Sequence, residues 1–379
     1  MKDERMPSEL RPEEHSSTEE ENLITENSAD VCVVGVGSFG CEIGSRLKGK
    51  DIFGVEIIAI DDHPDELLRL KADKKFFLNN GIPRGLATCG NPIVGEMAAK
   101  RDAEQLGELI KGKRIIILIA GLGGQIGTGA SPIIAEIAKN QGSLVIGAFS
   151  LPMGPEGRIR TDNAIESLAK LRKISNTIIL IPLDRMKEVF PELEFRKVWD
   201  VSPEAFTEAI REVIITITES GAPNTDSKKF RSIFFDGGIV MIGMGESEIS
   251  GPRGWEEASS EAISSPLLVA DMSKATSSYV SVGHKLVKVN APQSVMSAKE
   301  VIVSFSSGYQ KPDNDIEKIM ANIRDRIVKD AGVYWFSSVD KSLSEAKRCT
   351  ILLTGIAFPH CFEEVPAQNK RFDHSNEVV

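Results

Sequence analysis

GLGGQIGTGASP, residues 121–132, follows an apolar run and opens a helical pattern. Glycines carry no Cβ, so successive backbone N–H groups can converge on anionic oxygens. Gly121, Gly123, Gly124, Gly127, Thr128 and Gly129 therefore read as a phosphate nest at the start of a helix. A glycine-rich turn without a ligand is the plainer alternative. Gln125 and Ile126 stand out, because one adds bulk and the other an apolar side chain where such a loop is ordinarily bare or hydroxylated.

A second loop of this kind lies nearer the amino terminus. The run VCVVGV (31–36) leads into Gly35-Val36-Gly37-Ser38-Phe39-Gly40, which fits G-x-G-x-x-G. The next apolar run, VEIIAI (55–60), closes on Asp61-Asp62, about 20 residues beyond, near where a dinucleotide fold keeps its ribose acid. Taken alone, this half points to NAD. A dinucleotide fold needs one such loop, however, and two fit a phosphate chain gripped from two sides.

Outward from these loops, apolar runs alternate with amphipathic stretches. RIIILIA (114–120), SLVIGAFS (143–150) and TIILIP (177–182) join the two runs above. They are rich in β-branched residues with little polar alternation, as expected of parallel strands buried on both faces. Helices are expected at Pro132–Gln141 and Asp162–Lys173. A long helix is expected from Ser202 to Glu219, with Ser202 as N-cap and Pro203 at the first helical position. The turn-rich SGAPNTDSKK (220–229) suggests a boundary. Beyond it come GGIVMIGMG (237–245), a helix near Trp255–Ser264, YVSVGHKLVKV (279–289), VIVSFSS (301–307), a helix at Asp315–Lys329, VYWFSS (333–338) and CTILLTGIAF (349–358). This second region lacks a steady strand–helix beat.

The expected fold class is α/β: a doubly wound parallel-sheet nucleotide domain at 31–201, a core helix at 202–222 and a smaller α+β domain at 223–358. Residues 1–30 hold ten acids against Lys2, Arg5 and Arg11, a net of −7 out of the chain's −10, and read as a disordered tail. Residues 359–379 read as a polar tail. The body is close to neutral, which offers no argument for nucleic acid or a membrane surface. The first residues lack the apolar core of a signal peptide, and no apolar run approaches a membrane span. Cys32, Cys41, Cys89, Cys349 and Cys361 match neither a zinc site nor a disulfide framework, so reduced thiols and a cytoplasmic protein are expected. His284 and the three tryptophans are expected to pack rather than to bind.

Taken in order, these stretches resemble the tubulin/FtsZ superfamily of filament-forming GTPases, over about Val31 to Ala357. Gly35-Val-Gly37 resembles the first phosphate loop of FtsZ, and GSFGCEIG (37–44) is nearer tubulin's version. CGNPIVGEMAAK (89–100), with Gly90 and Asn91, resembles the loop facing the terminal phosphate. The stretch opening at Gly121 resembles the signature written G-G-G-T-G-T-G in FtsZ. Glu156-Gly157 and Arg160 match E-G-x-x-R, used by the family at the ribose and phosphates. EAISSPLL (261–268) is close to an FtsZ stretch in the second domain. The resemblance implies GTP/GDP as ligand, self-association into head-to-tail filaments, and a GTPase site completed by acids from the next subunit. No nucleic acid and no direct membrane insertion are implied, and a second FtsZ-like partner is an open option.

The sequence also departs from that pattern. The donated loop N-x-D-F-A-D becomes Asn224-Thr-Asp226-Ser-Lys-Lys229: Asp226 is kept and the second acid is a lysine. An ammonium can contact phosphate but does not serve as a base at neutral pH without a large pKa shift. The alternative is that Lys229 faces solvent and Asp226 suffices. At the base, Pro182-Leu183-Asp184 replaces an Asn-Asp pair, and Phe206 is followed at Ile210 by no aspartate. Phe206 can still stack on a purine, but the polar partners that select guanine are fewer. Asp61-Asp62-His63 replaces N-T-D; its acids either hold Mg²⁺ or form a solvated strand end. Glu42 places a carboxylate where FtsZ has Asn. The carboxyl terminus lacks the apolar-basic peptide by which FtsZ recruits membrane adaptors. Three functions follow: an FtsZ-like filament protein with weak or partner-dependent hydrolysis, a non-hydrolysing relative that co-assembles with an active one, and, opposed by everything downstream of residue 61, an NAD enzyme.

Overall fold

The computed structural model describes residues 31–50, 52, 54–78, 90–183, 194–218, 233–235, 237–265, 280–282, 285–287, 298–308, 316–326 and 331–356. The first part runs β1 (Val31–Val36), α1 (Gly37–Gly49), β2 (Val55–Asp61), α2 (Pro64–Arg69), β3 (Lys74–Phe77), α3 (Pro92–Arg101) and α4 (Ala103–Ile110). It continues with β4 (Ile115–Gly121), α5 (Ile126–Asn140), β5 (Leu144–Leu151), α6 (Arg158–Ile174), β6 (Thr177–Pro182) and the long α7 (Phe195–Thr218). The second part holds β7 (Gly238–Ser247), α8 (Pro252–Ser264), β8 (Val280–Val282), β9 (Lys285–Val287), β10 (Glu300–Ser307), α9 (Ile316–Arg326), β11 (Gly332–Val339) and β12 (Lys347–Ile356).

Ten strands form one sheet in the order β3-β2-β1-β4-β5-β6-β7-β12-β10-β11, and β8 pairs β9 separately. From β3 to β7 every neighbour is parallel. β12 is antiparallel to both β7 and β10, and β11 lies parallel to β10 at the edge. The expected mixture of a parallel α/β region followed by a less regular one is what the chain forms. β1 and β6 are buried along their whole length because helices cover both faces.

Alternate strand residues supply two cores. On one face, Val31, Val33, Ile117 and Ile119 pack with Ile43 and Leu47 of α1 and with Phe206, Ile210, Val213 and Ile217 of α7. The same core takes in Ile242, Ile302 and Leu352, so α7 lies across both parts of the sheet. On the other face, Val34, Leu118 and Val145 pack with residues of α4, α5, α6, α8 and α9. Trp255 packs edge to face on Phe305 at 5.6 Å, and Phe305 meets Trp335 at 6.4 Å, as expected of packing tryptophans.

Three local expectations change. KKFF (74–77) forms edge strand β3 on β2, although two lysines and four residues gave no strand signal. α5 begins at Ile126, within the glycine-rich stretch, and carries Pro132 as its seventh residue, where the missing N–H leaves Thr128 O to accept from Ser167 Oγ at 2.7 Å. α7 begins at Phe195, so Ser202 is a buried interior residue and not a cap, and Pro203 sits mid-helix. The helix forgoes one backbone hydrogen bond there, and the cost is offset by the apolar face that α7 buries downstream.

α7 also carries a line of charge. Lys50, just past α1, bonds Glu204 at 2.8 Å and pairs with Glu208, while Arg46 of α1 bonds Glu204 at 2.8 Å. Arg348 of β12 reaches Glu208 at 2.5 Å and Glu246 at 2.7 Å; Arg211 bonds Asp340 at 2.7 Å. Glu212 is fully buried and accepts from Ser304 Oγ at 3.1 Å.

Candidate functional site

The chain order reverses between β1 and β4, which are hydrogen-bonded neighbours with Val36 opposite Ala120. β1 feeds α1 on one face and β4 feeds α5 on the other, so a crevice opens at their carboxyl ends. Such a switch point is where open parallel sheets hold ligands. Both glycine loops begin there, side by side. β2 lies against β1 with Ile60 opposite Val36, which brings Asp61 to the same end. β5 places Ser150 opposite Gly121, and Leu122 N donates to Ser150 O at 3.0 Å.

The loops touch through their glycines. Gly37 has φ +72°, and a Cβ there would lie 2.9 Å from Gly127 N. Gly40 lets α1 rest on β4, since a Cβ would meet Ile119 O at 2.2 Å. Close approach of the backbone likewise accounts for Gly35, Gly127 and Gly129, the last against Pro92 at the start of α3, while a Cβ on Gly121 would press on the Phe39 side chain. Gly123 has φ +109° and lies under the backbone of Arg160. Gly124 is different: nothing stands within 4 Å of a Cβ placed on it, so packing gives no reason for its bareness. Gly90, at φ +70°, also faces open space.

Polar groups fix these loops. Thr128 Oγ1 accepts from Gly123 N at 2.7 Å, closing the second loop on itself, and Ser167 Oγ donates to Thr128 O at 2.7 Å. Asn91 caps α3 by accepting from Ile93 N at 3.0 Å. Glu156 accepts from Met153 N at 2.7 Å with one oxygen and holds Arg160 at 2.7 Å with the other. Glu42 has its charge offset by Arg46 at 2.9 Å.

The end of β2 contributes the strongest electrostatics. Asp61 is buried, with Ser38 Oγ 3.1 Å from its Oδ2 and Asp62 N donating to its Oδ1 at 2.8 Å. Ser38 Oγ is also 3.3 Å from Glu66 Oε2. Burial pushes the Asp61 carboxyl up to about 6, with the Asp62 backbone N–H working the other way and the Asp62 carboxylate adding to the rise. His63 Nδ1 lies 2.8 Å from Asp62 Oδ1 and 3.6 Å from Asp61 Oδ1. Partial burial opposes its protonation, but the surrounding carboxylates win and raise its pKa. Gln125 Nε2 donates to Asp62 Oδ2 at 3.0 Å, tying the second glycine loop to β2. In the sequence Gln125 reads as bulk alone and Glu66 carries no mark; the matched departures at 61–63 and 125 are the available signal.

Of the residues read as a base pocket, the described ones are apolar and buried. Leu183 is 2% exposed, Ile210 fully buried and Phe206 1% exposed, its ring edge to face with Phe39 at 5.4 Å. In this conformation Phe206 offers no open face for stacking. Cys41 is buried below the first loop and burial drives its thiol well above the ordinary value, so it is no nucleophile. Asn224, Asp226, Lys229, Asp184, Cys89, Cys361, His284 and both chain ends lie outside the described residues.

The family model "Tubulin/FtsZ family, GTPase domain" matches residues 30–191. Cell division protein FtsZ 1 of Thermococcus kodakarensis is 33% identical over 356 residues, covering 94% of this chain and 88% of that one. The chain belongs to the tubulin/FtsZ family. FtsZ 1 of Methanocaldococcus jannaschii is 31% identical and covers 96% of this chain and 93% of its own length. Among solved structures, an FtsZ dimer of M. jannaschii superposes with a TM-score of 0.75 at 29% identity, covering 91% of this chain and 93% of that one. CetZ2 of Haloferax volcanii, solved as a GTPγS-bound protofilament, shares the fold with a TM-score of 0.64 at 18% identity, over 87% and 94%. The family assignment replaces the NAD reading, because the first G-x-G-x-x-G lies beside a second glycine loop at one switch point and FtsZ relatives match the chain over most of their length. Among the described residues no helix is long and apolar enough to cross a membrane.

Proposed function

We propose that this chain binds GTP or GDP between its two glycine loops and assembles head to tail into FtsZ-like filaments, with weak or partner-dependent hydrolysis, in cell division or cell-shape control. One observation carries the reading: the loops at 35–40 and 121–129 abut at the sheet's switch point, and Gly124 is bare where packing does not require it. Backbone N–H groups of both loops face the phosphates, as helix N-termini and glycine nests do, apart from those of Leu122, Gly123 and Gly129, which bond Ser150 O, Thr128 Oγ1 and Gln125 O. Glu156 and Arg160, already paired, with Arg160 set against Gly123, serve the ribose and phosphates. The named FtsZ relatives and the CetZ2 protofilament support self-association.

Ser38, the hydroxyl of the first phosphate loop, fits a Mg²⁺ that travels with the nucleotide, since a hydroxyl beside phosphate oxygens is an oxygen donor set. Bound there, the ion would offset phosphate charge. Asp226 of the next subunit orients the attacking water. Lys229, standing in for the second acid, cannot take its proton, which slows hydrolysis. The apolar surroundings of Leu183 and Ile210 support weak selection of guanine, because few buried polar groups remain to be left unpaired by another base.

A second reading is favoured by Lys229 and Ile126: a non-hydrolysing homologue that co-assembles with an active FtsZ. Pelleting and phosphate release with GTP, ATP or no nucleotide, alone and beside an active FtsZ, separate the two. Polymer with GTP and little phosphate supports the first. Altered partner assembly without polymer of its own supports the second. Binding of NAD but not of GTP, with no polymer and no effect on partner assembly, sinks both.

A further inference from the structure

We infer that Asp61, His63 and Glu66 form a protein-held site for one borderline divalent cation, of the Zn²⁺, Co²⁺ or Mn²⁺ kind, that binds without any nucleotide. One ligand atom from each residue lies within 4.8 Å of the other two. Metal–ligand bonds near 2.1 Å put two ligands of one ion roughly 3–4 Å apart. Asp61 Oδ1 and His63 Nδ1, at 3.6 Å, already satisfy that, and rotation of the exposed Glu66 side chain closes the rest.

Charge balance argues for the ion independently of the spacing. Asp61, Asp62 and Glu66 gather at the end of β2, and among the described residues no lysine or arginine pairs with Asp61 or Glu66. Ser38 stands between Asp61 and Glu66 at 3.1 and 3.3 Å, but a hydroxyl has one hydrogen and serves one carboxylate at a time. Asp61 is nearly sealed from water, with a side chain 2% exposed, so solvent does not screen it. A cation between the two carboxylates meets both and draws on Ser38's oxygen lone pairs as well.

The donor set selects the ion. Mg²⁺ and Ca²⁺ favour oxygen alone, whereas an imidazole nitrogen beside two carboxylates suits zinc, cobalt or manganese. Coordination through His63 Nδ1 releases any proton on this nitrogen to solvent and gives up its 2.8 Å ionic contact with Asp62. Asp62 stays in place because Gln125 holds its other oxygen at 3.0 Å. Where the nucleotide reading also holds, ion and phosphates are neighbours, and each strengthens binding of the other by the same factor.

The test uses the full chain, stripped of nucleotide and metal, titrated with Co²⁺ and followed by visible absorption, with Zn²⁺ as competitor. One Co²⁺ per chain, displaced by Zn²⁺ and weakened at least tenfold in both His63→Ala and Glu66→Gln, is the expected result. His63 is exposed, so circular dichroism of His63→Ala should match the parent. A Co²⁺ signal unchanged in His63→Ala belongs to thiols elsewhere and overturns the inference. So does an ion that binds only after GTP is added, which is then the nucleotide's counter-ion. GTP binding is read separately, by equilibrium dialysis in EDTA, and its loss would count against the nucleotide reading alone.

Discussion

Gln125 Nε2 donates to Asp62 Oδ2 at 3.0 Å, so the residue that opens α5 is tied to the end of β2 across the crevice between β1 and β4. Where FtsZ has a glycine and a threonine, this chain has an amide and a carboxylate that meet. The bridge stiffens the two walls between which phosphates are proposed to sit.

Gln125→Ala removes the bridge without touching either backbone. Asp62 keeps His63, so the loss of a partly exposed bond to a charged group is about 1 kcal/mol. Denaturant unfolding reads that loss, and stopped-flow release of a fluorescent GDP should quicken. Release at the parent rate would mean that the bridge does not hold the crevice closed.

Two glycines divide packing from ligand binding. Gly129→Ala sets a methyl 2.0 Å from Pro92 O and 2.7 Å from Glu96 N, both backbone, and should cost about 3 kcal/mol or more of stability. Gly124→Ala meets nothing and should melt like the parent while GTP affinity falls about tenfold or more, by fluorescence titration. Full affinity in Gly124→Ala would remove this loop from the phosphate site.

Lys229→Asp restores a second carboxylate to the stretch read as the donated loop. Phosphate release from assembled protein should rise by about a hundredfold, the lower end of the range of a general base. An unchanged rate at equal polymer mass would show that Lys229 is not what limits hydrolysis.

The ion network of α7 predicts opposite pH responses at two acids. Burial disfavours ionised Asp340, but the Ser342 hydroxyl, Arg211, the Ser342 backbone N–H and Arg348 more than compensate, and its carboxyl is held below the ordinary value. A lowered folded pKa gives stability that is present above about pH 4 and lost as pH falls through the folded value. Asp340→Asn should therefore destabilise at pH 7 and flatten the acid limb of a melting-temperature profile. Glu212 is raised by burial, with Arg348 and Arg211 opposing. A raised folded pKa gives stability that is full below the unfolded value and lost as pH climbs through the folded one. Glu212→Gln keeps an acceptor for Ser304 and should cost less at pH 7 than Asp340→Asn. The reverse order would mean that Glu212 is held as a net favourable ion pair.

Much of this molecule is legible in one dimension because its strands and turns are local events. VCVVGV and TIILIP coincide with β1 and β6 residue for residue, since β-branched runs bounded by turns have few other fates. KKFF did not announce itself: β3 is a strand because β2 offers it an edge, and pairing is a tertiary fact. α7 starts seven residues before Ser202, since Pro203 reads as a start and only the helix's packing shows that the turns before it persist.

By itself the sequence determined the two glycine loops, their strands and helices, and the order of motifs that belongs to the tubulin/FtsZ family. Spacing along the chain carries those, because a tight turn or a buried strand needs particular residue types at particular positions. Only the tertiary structure decided which glycines are bare for packing and which are bare toward open space. It likewise decided that Phe206 lies under Phe39, and that Gln125, Asp62, His63 and Glu66 gather at one strand end. Those relations join residues far apart in the chain, and the switch between β1 and β4 brings them within bonding distance.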